Sequence, residues 1–274
     1  MALLLVVVGA SGCDREQPRR DTALEYAALG DSFTAAPWLP KTSKDGCARS
    51  DQNYPHQVAA QLDDARLIDV SCGGAQTRDI IQSQELDKLV QPPQIESLWE
   101  GTDIVTVGIG GNDRGFSDLI FSQCVQLAQN APDGSPCEDA FAKRMPRLLD
   151  RIGHRLTEVV RSVSTRAPDA QVLVVGYPRL LPESGSCPRR FPLANGDVDF
   201  VRDSFQGLSR ALEAAARDSG AEYVDVAAAS EGHDICSDEP WINGARADRR
   251  TKAAPYHPTP AEQAAVAELI LGLL

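Results

Sequence analysis

The sequence predicts an α/β fold, a three-layer α/β/α sandwich around a five-stranded parallel sheet. Two patterns carry that expectation. Five short apolar segments, at residues 25–29, 66–71, 103–109, 171–177 and 221–226, have the length and composition of strands. Two of them, Ile104-Val105-Thr106-Val107 and Val172-Leu173-Val174-Val175, are continuous apolar runs, as parallel strands covered on both faces require. Helical patterns alternate with them, at 54–62, 147–165, 199–218 and 260–274. In the second of these, apolar residues at 148, 149, 152, 156, 159 and 160 make one face. Strand–helix alternation of this kind winds a parallel sheet with right-handed crossovers.

The 274 residues suffice for one well-buried domain, expected over 23–274. A net charge of −12 argues against nucleic acid as partner, because phosphate binding needs a basic surface. Residues 2–8 form an apolar run too short to span a bilayer, followed by small residues, as in an export signal. No basic stretch precedes it, so a start upstream of Met1 stays open. Cys13 follows Ala10-Ser11-Gly12, similar to a bacterial lipoprotein cleavage box but without its usual leucine. Lipidation at Cys13 and simple cleavage with release both stand. The polar stretch up to residue 22 reads as a tether. Beyond Cys13 lie six cysteines, 47, 72, 124, 137, 187 and 236. An even number in an exported chain implies disulfides, and six cysteines allow fifteen pairings, of which the sequential one is the simplest. No Cys-x-x-Cys pair or tight Cys/His cluster suggests a metal site. The loops at 35–53, 129–139 and 178–197 each carry at least one cysteine.

Chemistry concentrates at the ends of the expected strands. Gly30-Asp31-Ser32-Phe33 follows the first, which places Ser32 at the rim where open α/β sheets bind ligands. A serine nucleophile needs a base and donors for a developing oxyanion. Of the histidines 56, 154, 233 and 257, His154 lies in a helical pattern, His56 at a helix start and His233 in a loop before Cys236. His257 precedes Thr259-Pro260-Ala261-Glu262, an N-cap, first-turn proline and capping-box glutamate. On residues alone the base stays open among the four. Gly108-Ile109-Gly110-Gly111-Asn112-Asp113 fails as a dinucleotide fingerprint because its last position is Asp113. It is either a turn or a means of aiming the Asn112 amide. Ser71-Cys72-Gly73-Gly74 is likewise a turn or a close backbone approach to a ligand.

Together, Gly30-Asp31-Ser32-Phe33, Gly74, Gly110-Gly111-Asn112-Asp113 and His257-Pro258, in this order and after these strands, resemble the SGNH (GDSL) hydrolase superfamily. The resemblance covers essentially residues 24–274. Within the superfamily, Gly232-His233-Asp234-Ile235-Cys236 and Pro240-Trp241-Ile242-Asn243-Gly244 are similar to the secreted actinobacterial lipase/esterase branch. It implies a flavodoxin-like strand order and the pairs Cys47–Cys72, Cys124–Cys137 and Cys187–Cys236. It implies Ser32 as nucleophile, with the Ser32 and Gly74 N–H groups and the Asn112 amide as oxyanion donors, and His257 as base and then acid. No metal or organic cofactor is implied. The wider family places an aspartate three residues before the histidine, where this chain has Ala254. In the branch a backbone carbonyl replaces it, which implies a Ser32–His257 dyad with the Ala254 carbonyl orienting the ring. Asp248 reaching in from the loop is the alternative.

Asp31 and Asp113 are expected to be structural. Trp38 and the Trp241–Gly244 loop are read either as acyl-pocket lining or as packing. The expected activity is hydrolysis of carboxylic, acyl-lipid esters by a secreted or extracytoplasmic monomer, lipid-anchored if Cys13 is acylated. The alternatives are carbohydrate O-deacetylation, a phospholipase A-type activity, and a non-catalytic surface binding protein. No lid helix is evident, so interfacial activation is not expected.

Overall fold

The computed structural model describes residues 23–246 and 251–274. The expected export segment with Cys13, and Asp248, lie outside those residues. Among the described residues seven strands occur in chain order: β1 (Leu24–Gly30), β2 (Ala65–Asp69), β3 (Gln84–Leu86), β4 (Leu89–Gln91), β5 (Ile104–Gly108), β6 (Gln171–Val175) and β7 (Glu222–Val224). Five form one all-parallel sheet ordered β2-β1-β5-β6-β7, the flavodoxin-like arrangement. β3 and β4 make a separate antiparallel hairpin that the sequence pattern did not signal, because three-residue strands are too short to show a period.

The alternation along each strand sorts the core into two layers. Ala27, Leu29, Val105, Val107, Val172 and Val174 pack against Ile152 and Leu156 of the Met145–Arg166 helix and Leu208 and Leu212 of the Val198–Ser219 helix. Tyr26, Ala28, Ile104, Leu173 and Val175 pack against Tyr54 and Val58 of the Tyr54–Ala59 helix and Val266 and Ile270 of the Pro260–Leu271 helix. Each fully buried aliphatic side chain contributes roughly 1.5–3 kcal/mol, so both sheet faces drive the assembly. Every residue of β5 is buried, which is why that strand reads as an unbroken apolar run.

Thr259 caps the last helix as expected, its hydroxyl accepting from the Glu262 N–H at 3.5 Å, with Pro260 in the first turn. The expected capping box is not formed. The Thr259 N–H donates to the Trp241 carbonyl instead, and the buried Glu262 carboxylate accepts from Gln263 Nε2 at 2.6 Å. Burial pushes the Glu262 carboxyl up to about 8.

The three disulfides pair sequentially, Cys47–Cys72, Cys124–Cys137 and Cys187–Cys236. The first fixes the 35–53 loop to the turn after β2. Each bridge stabilises by roughly 2–4 kcal/mol. Reduction should therefore lower the thermal midpoint by at least about 5 °C. Equal midpoints by calorimetry with and without reductant would overturn this. The chain leaves β1 towards β2 and leaves β5 towards β6, on opposite sides, so a crevice opens between the carboxyl ends of β1 and β5.

Candidate active site

β1 ends at Gly30, where a Cβ would lie 2.1 Å from Thr34 Oγ1 and 2.8 Å from the Gly108 carbonyl. Only glycine fits that turn. The buried Gln94 amide clamps the Gly30 backbone, accepting from its N–H at 2.7 Å and donating to its carbonyl at 2.9 Å. Asp31 then caps the one-turn Ser32–Ala35 helix by accepting from the Phe33 N–H at 2.8 Å. The second Asp31 oxygen accepts from the Tyr177 hydroxyl at 2.6 Å, and that hydroxyl oxygen accepts from the Gly111 N–H at 2.8 Å. This relay locks the Ser32 turn to the loop after β5. Burial pushes the Asp31 carboxyl up to about 7, against the lowering effect of the Tyr177 bond.

The three expected oxyanion donors lie on the turns after β1, β2 and β5; Ser32 and Asn112 border the cavity at Ser32 and Gly74 is not among its lining residues. The Ser32 N–H is in the first turn of its helix and has no protein acceptor among the described residues. The same holds for the N–H of Gly74, whose φ of +74° suits glycine. The Asn112 amide is pinned at both ends: Nδ2 donates to the Ala75 carbonyl at 3.0 Å, and Oδ1 accepts from Ser117 at 2.8 Å. One Nδ2 hydrogen is left over. Asp113 is fully buried and accepts from the Thr77 N–H at 2.8 Å and its hydroxyl at 2.6 Å. Both aspartates thus hold turns, as expected of structural residues.

His257 sits in the loop before the last helix. That loop is held by the Asn243 N–H donating to the His257 carbonyl at 3.0 Å and Asn243 Nδ2 donating to the Ala253 carbonyl at 2.8 Å. The imidazole stacks on Phe33, with centroids 5.9 Å apart. Its Nδ1 lies 2.8 Å from the Pro255 carbonyl, and not against the Ala254 carbonyl that the resemblance implied. The reason is local: the Ala254 carbonyl closes the turn by accepting from the His257 N–H at 3.2 Å. Tyr256 takes φ +58° within that turn, leaving the next carbonyl for the ring. Burial lowers the His257 pKa below its ordinary value, and the Pro255 bond only partly opposes it. His56 meets Asn53, exposed His154 meets Asp150, and His233 stacks on Trp241. None of the three borders the cavity at Ser32.

Ser32, Asn112 and His257 line one cavity of about 240 Å³. No hydrogen bond joins Ser32 to His257; such bonds often lengthen without substrate and tighten in the Michaelis complex. The remaining wall is largely aromatic, with Phe33, Phe116, Phe121, Tyr177, Phe205 and Tyr256. Phe121 and Tyr256 stack at 4.7 Å, and Phe121 lies in a π-helical segment, Leu119–Gln123. Of these, only Phe33 belongs to a sequence motif, Gly30-Asp31-Ser32-Phe33, and none was expected as cavity wall. For Tyr177 the available signal was its place just past β6; the other four lie in helices and loops without a motif. Trp38 and Trp241 do not line the cavity: Trp38 is 59% exposed and Trp241 is buried in the core layer of the last helix. Among the described residues no cluster of His, Cys, Asp or Glu could hold a metal ion.

Residues 28–265 match the model of the GDSL-like lipase/acylhydrolase family. Lipase 2 of Streptomyces coelicolor is 38% identical over 219 residues, which span 78% of this chain and 73% of that protein. A lipase of Streptomyces rimosus is 30% identical over 88% of this chain and 82% of its own length. Among solved structures, phospholipase A1 from Streptomyces albidoflavus superposes with a TM-score of 0.76 at 29% identity, covering 92% of this chain and 99% of its own. With the motif residues gathered at one rim of the sheet, these matches place the chain in the GDSL-like lipase/acylhydrolase family, as a carboxylic ester hydrolase.

Proposed function

We propose that the protein is an exported serine esterase that hydrolyses acyl-lipid esters through an acyl-enzyme on Ser32. The observation that carries this reading is the shared cavity of Ser32, Asn112 and His257, walled by aromatic rings suited to an acyl chain. Ser32 Oγ attacks the ester carbonyl as His257 Nε2 takes its proton. The oxyanion is held by the N–H groups of Ser32 and Gly74 and by the Asn112 amide. The alkoxide leaves with the proton from His257. Water then attacks the acyl-enzyme by the same route and releases the acid and Ser32. The Pro255 carbonyl, accepting from Nδ1–H, fixes the tautomer with Nε2 free to accept. This makes a dyad without a carboxylate and needs no cofactor. Asn112→Ala should cost about 10²–10³-fold in kcat, the effect of losing one oxyanion donor, with KM little changed. An equal kcat would remove Asn112 from the hole.

A phospholipase A-type activity is a second reading, supported by the likeness to the Streptomyces albidoflavus phospholipase A1. The apolar wall disfavours the carbohydrate deacetylase. Hydrolysis of p-nitrophenyl acetate, butyrate, octanoate and palmitate, alongside a diacyl phosphatidylcholine, separates these. A preference for medium or long chains supports the proposal, and activity on acetyl sugars alone would overturn it. Three disulfides suit an oxidising compartment outside the cytoplasm, with residues 1–22 as the export segment and 23–274 as one catalytic domain. The mass of the mature N-terminus distinguishes an acylated Cys13 from plain cleavage.

A further inference from the structure

We propose that Gln84 is a positioning residue for the oxyanion hole, acting through the peptide unit that carries the Gly74 N–H; this rests on the reading of Gly74 as a donor. Gln84 opens β3, outside every motif block, and is 6% exposed. Its Nε2 donates to the Gly73 carbonyl at 2.9 Å. The Gly73 carbonyl and the Gly74 N–H belong to one planar trans peptide and point in opposite directions. Whatever holds that carbonyl therefore aims that N–H. Glycines flank the peptide on both sides, so no side chain restricts its rotation.

The surroundings anchor the clamp. The Gly73 N–H donates to the Cys47 carbonyl at 2.9 Å, beside the Cys47–Cys72 disulfide. Gln84 pairs across the hairpin with Gln91, whose Nε2 donates to the Asp45 carbonyl at 2.7 Å. The hairpin and the 35–53 loop thus form one frame around the Gly73–Gly74 peptide. A second observation sets Gln84 apart from ordinary packing. Its Oε1 is buried and has no hydrogen-bond partner among the described residues. A half-satisfied buried amide is costly, and a side chain of the same shape without polar atoms would avoid that cost. The retained amide makes sense for its one donated bond.

The test is Gln84→Met, which keeps the length and removes the donor, with Gln84→Glu as a second variant should the first fail to fold. Three quantities are read on soluble p-nitrophenyl esters: kcat, KM, and the affinity of an alkyl trifluoromethyl ketone, which mimics the tetrahedral oxyanion. The expected result is a fall in kcat of about 10- to 10²-fold, less than outright loss of a donor. KM should hold, the ketone should bind more weakly by the same factor, and the thermal midpoint should move by no more than about 2–4 °C. A merely structural role would not couple kcat to ketone affinity at constant KM. Unchanged kcat, or a loss of kcat without loss of ketone affinity, would overturn the proposal. Ser32→Ala run in parallel separates the two levels. If it is inactive while Gln84→Met is fully active, only the role of Gln84 falls; if it is active, the reading of the site falls with it.

Discussion

Ser32→Ala should lower ester turnover by about 10³-fold or more and leave the fold intact. The loss follows from removing the hydroxyl proposed to carry the acyl group. The intact fold follows from the local structure. Asp31 caps the turn through its own carboxylate, Gln94 clamps Gly30, and Tyr177 ties the cap to Gly111. The Ser32 hydroxyl enters none of these bonds. Circular dichroism and the thermal midpoint of the variant should match those of the parent, while p-nitrophenyl butyrate turnover falls to background. Retained turnover in purified Ser32→Ala protein would overturn the acyl-enzyme proposal.

His257→Ala should be as severe, because nucleophile and base fail as a unit. In the intact enzyme the same residue should set the acid limb of the pH profile. Burial depresses the imidazole pKa from its ordinary 6.5, so the ring is neutral at pH 7 and Nε2 can accept the Ser32 proton. As pH falls through that depressed value the ring protonates and the base is lost. kcat/KM should then fall about tenfold per unit, with a midpoint below 6.5. Loss of activity beginning well above that value would point to another titrating group, and Asp31, raised to about 7, lines the same cavity. A His257→Ala variant with near-normal kcat would remove the dyad.

The legible parts of this molecule were those in which one local pattern decides the outcome. The runs 104–107 and 172–175 are apolar because β5 and β6 are covered on both faces, so they read directly as parallel strands. The strand ends in turn located Ser32 and Asn112, because a parallel sheet puts its ligands there. What was not legible depended on contacts distant in sequence. Tyr177 bonds Asp31 from 146 residues away, and Gln84 reaches Gly73 from a hairpin with no periodicity. The identity of the carbonyl facing His257 turned on a positive φ at Tyr256, a conformation that a non-glycine residue does not advertise. The capping box at Glu262 failed because the Trp241 carbonyl, from a separate loop, took the N–H of Thr259.

The order of the disulfides also bears on how the chain matures. From Cys47 onward each pair closes before the next begins: 47 with 72, then 124 with 137, then 187 with 236. Among the described residues no bridge encloses or crosses another. A polypeptide delivered from its N-terminus, as every chain is during synthesis, presents each of these thiols with its native partner as the next cysteine to emerge. The correct one of fifteen pairings is then favoured by arrival order as well as by free energy. Oxidation that keeps pace with delivery needs no reshuffling, the step that otherwise takes seconds to hours.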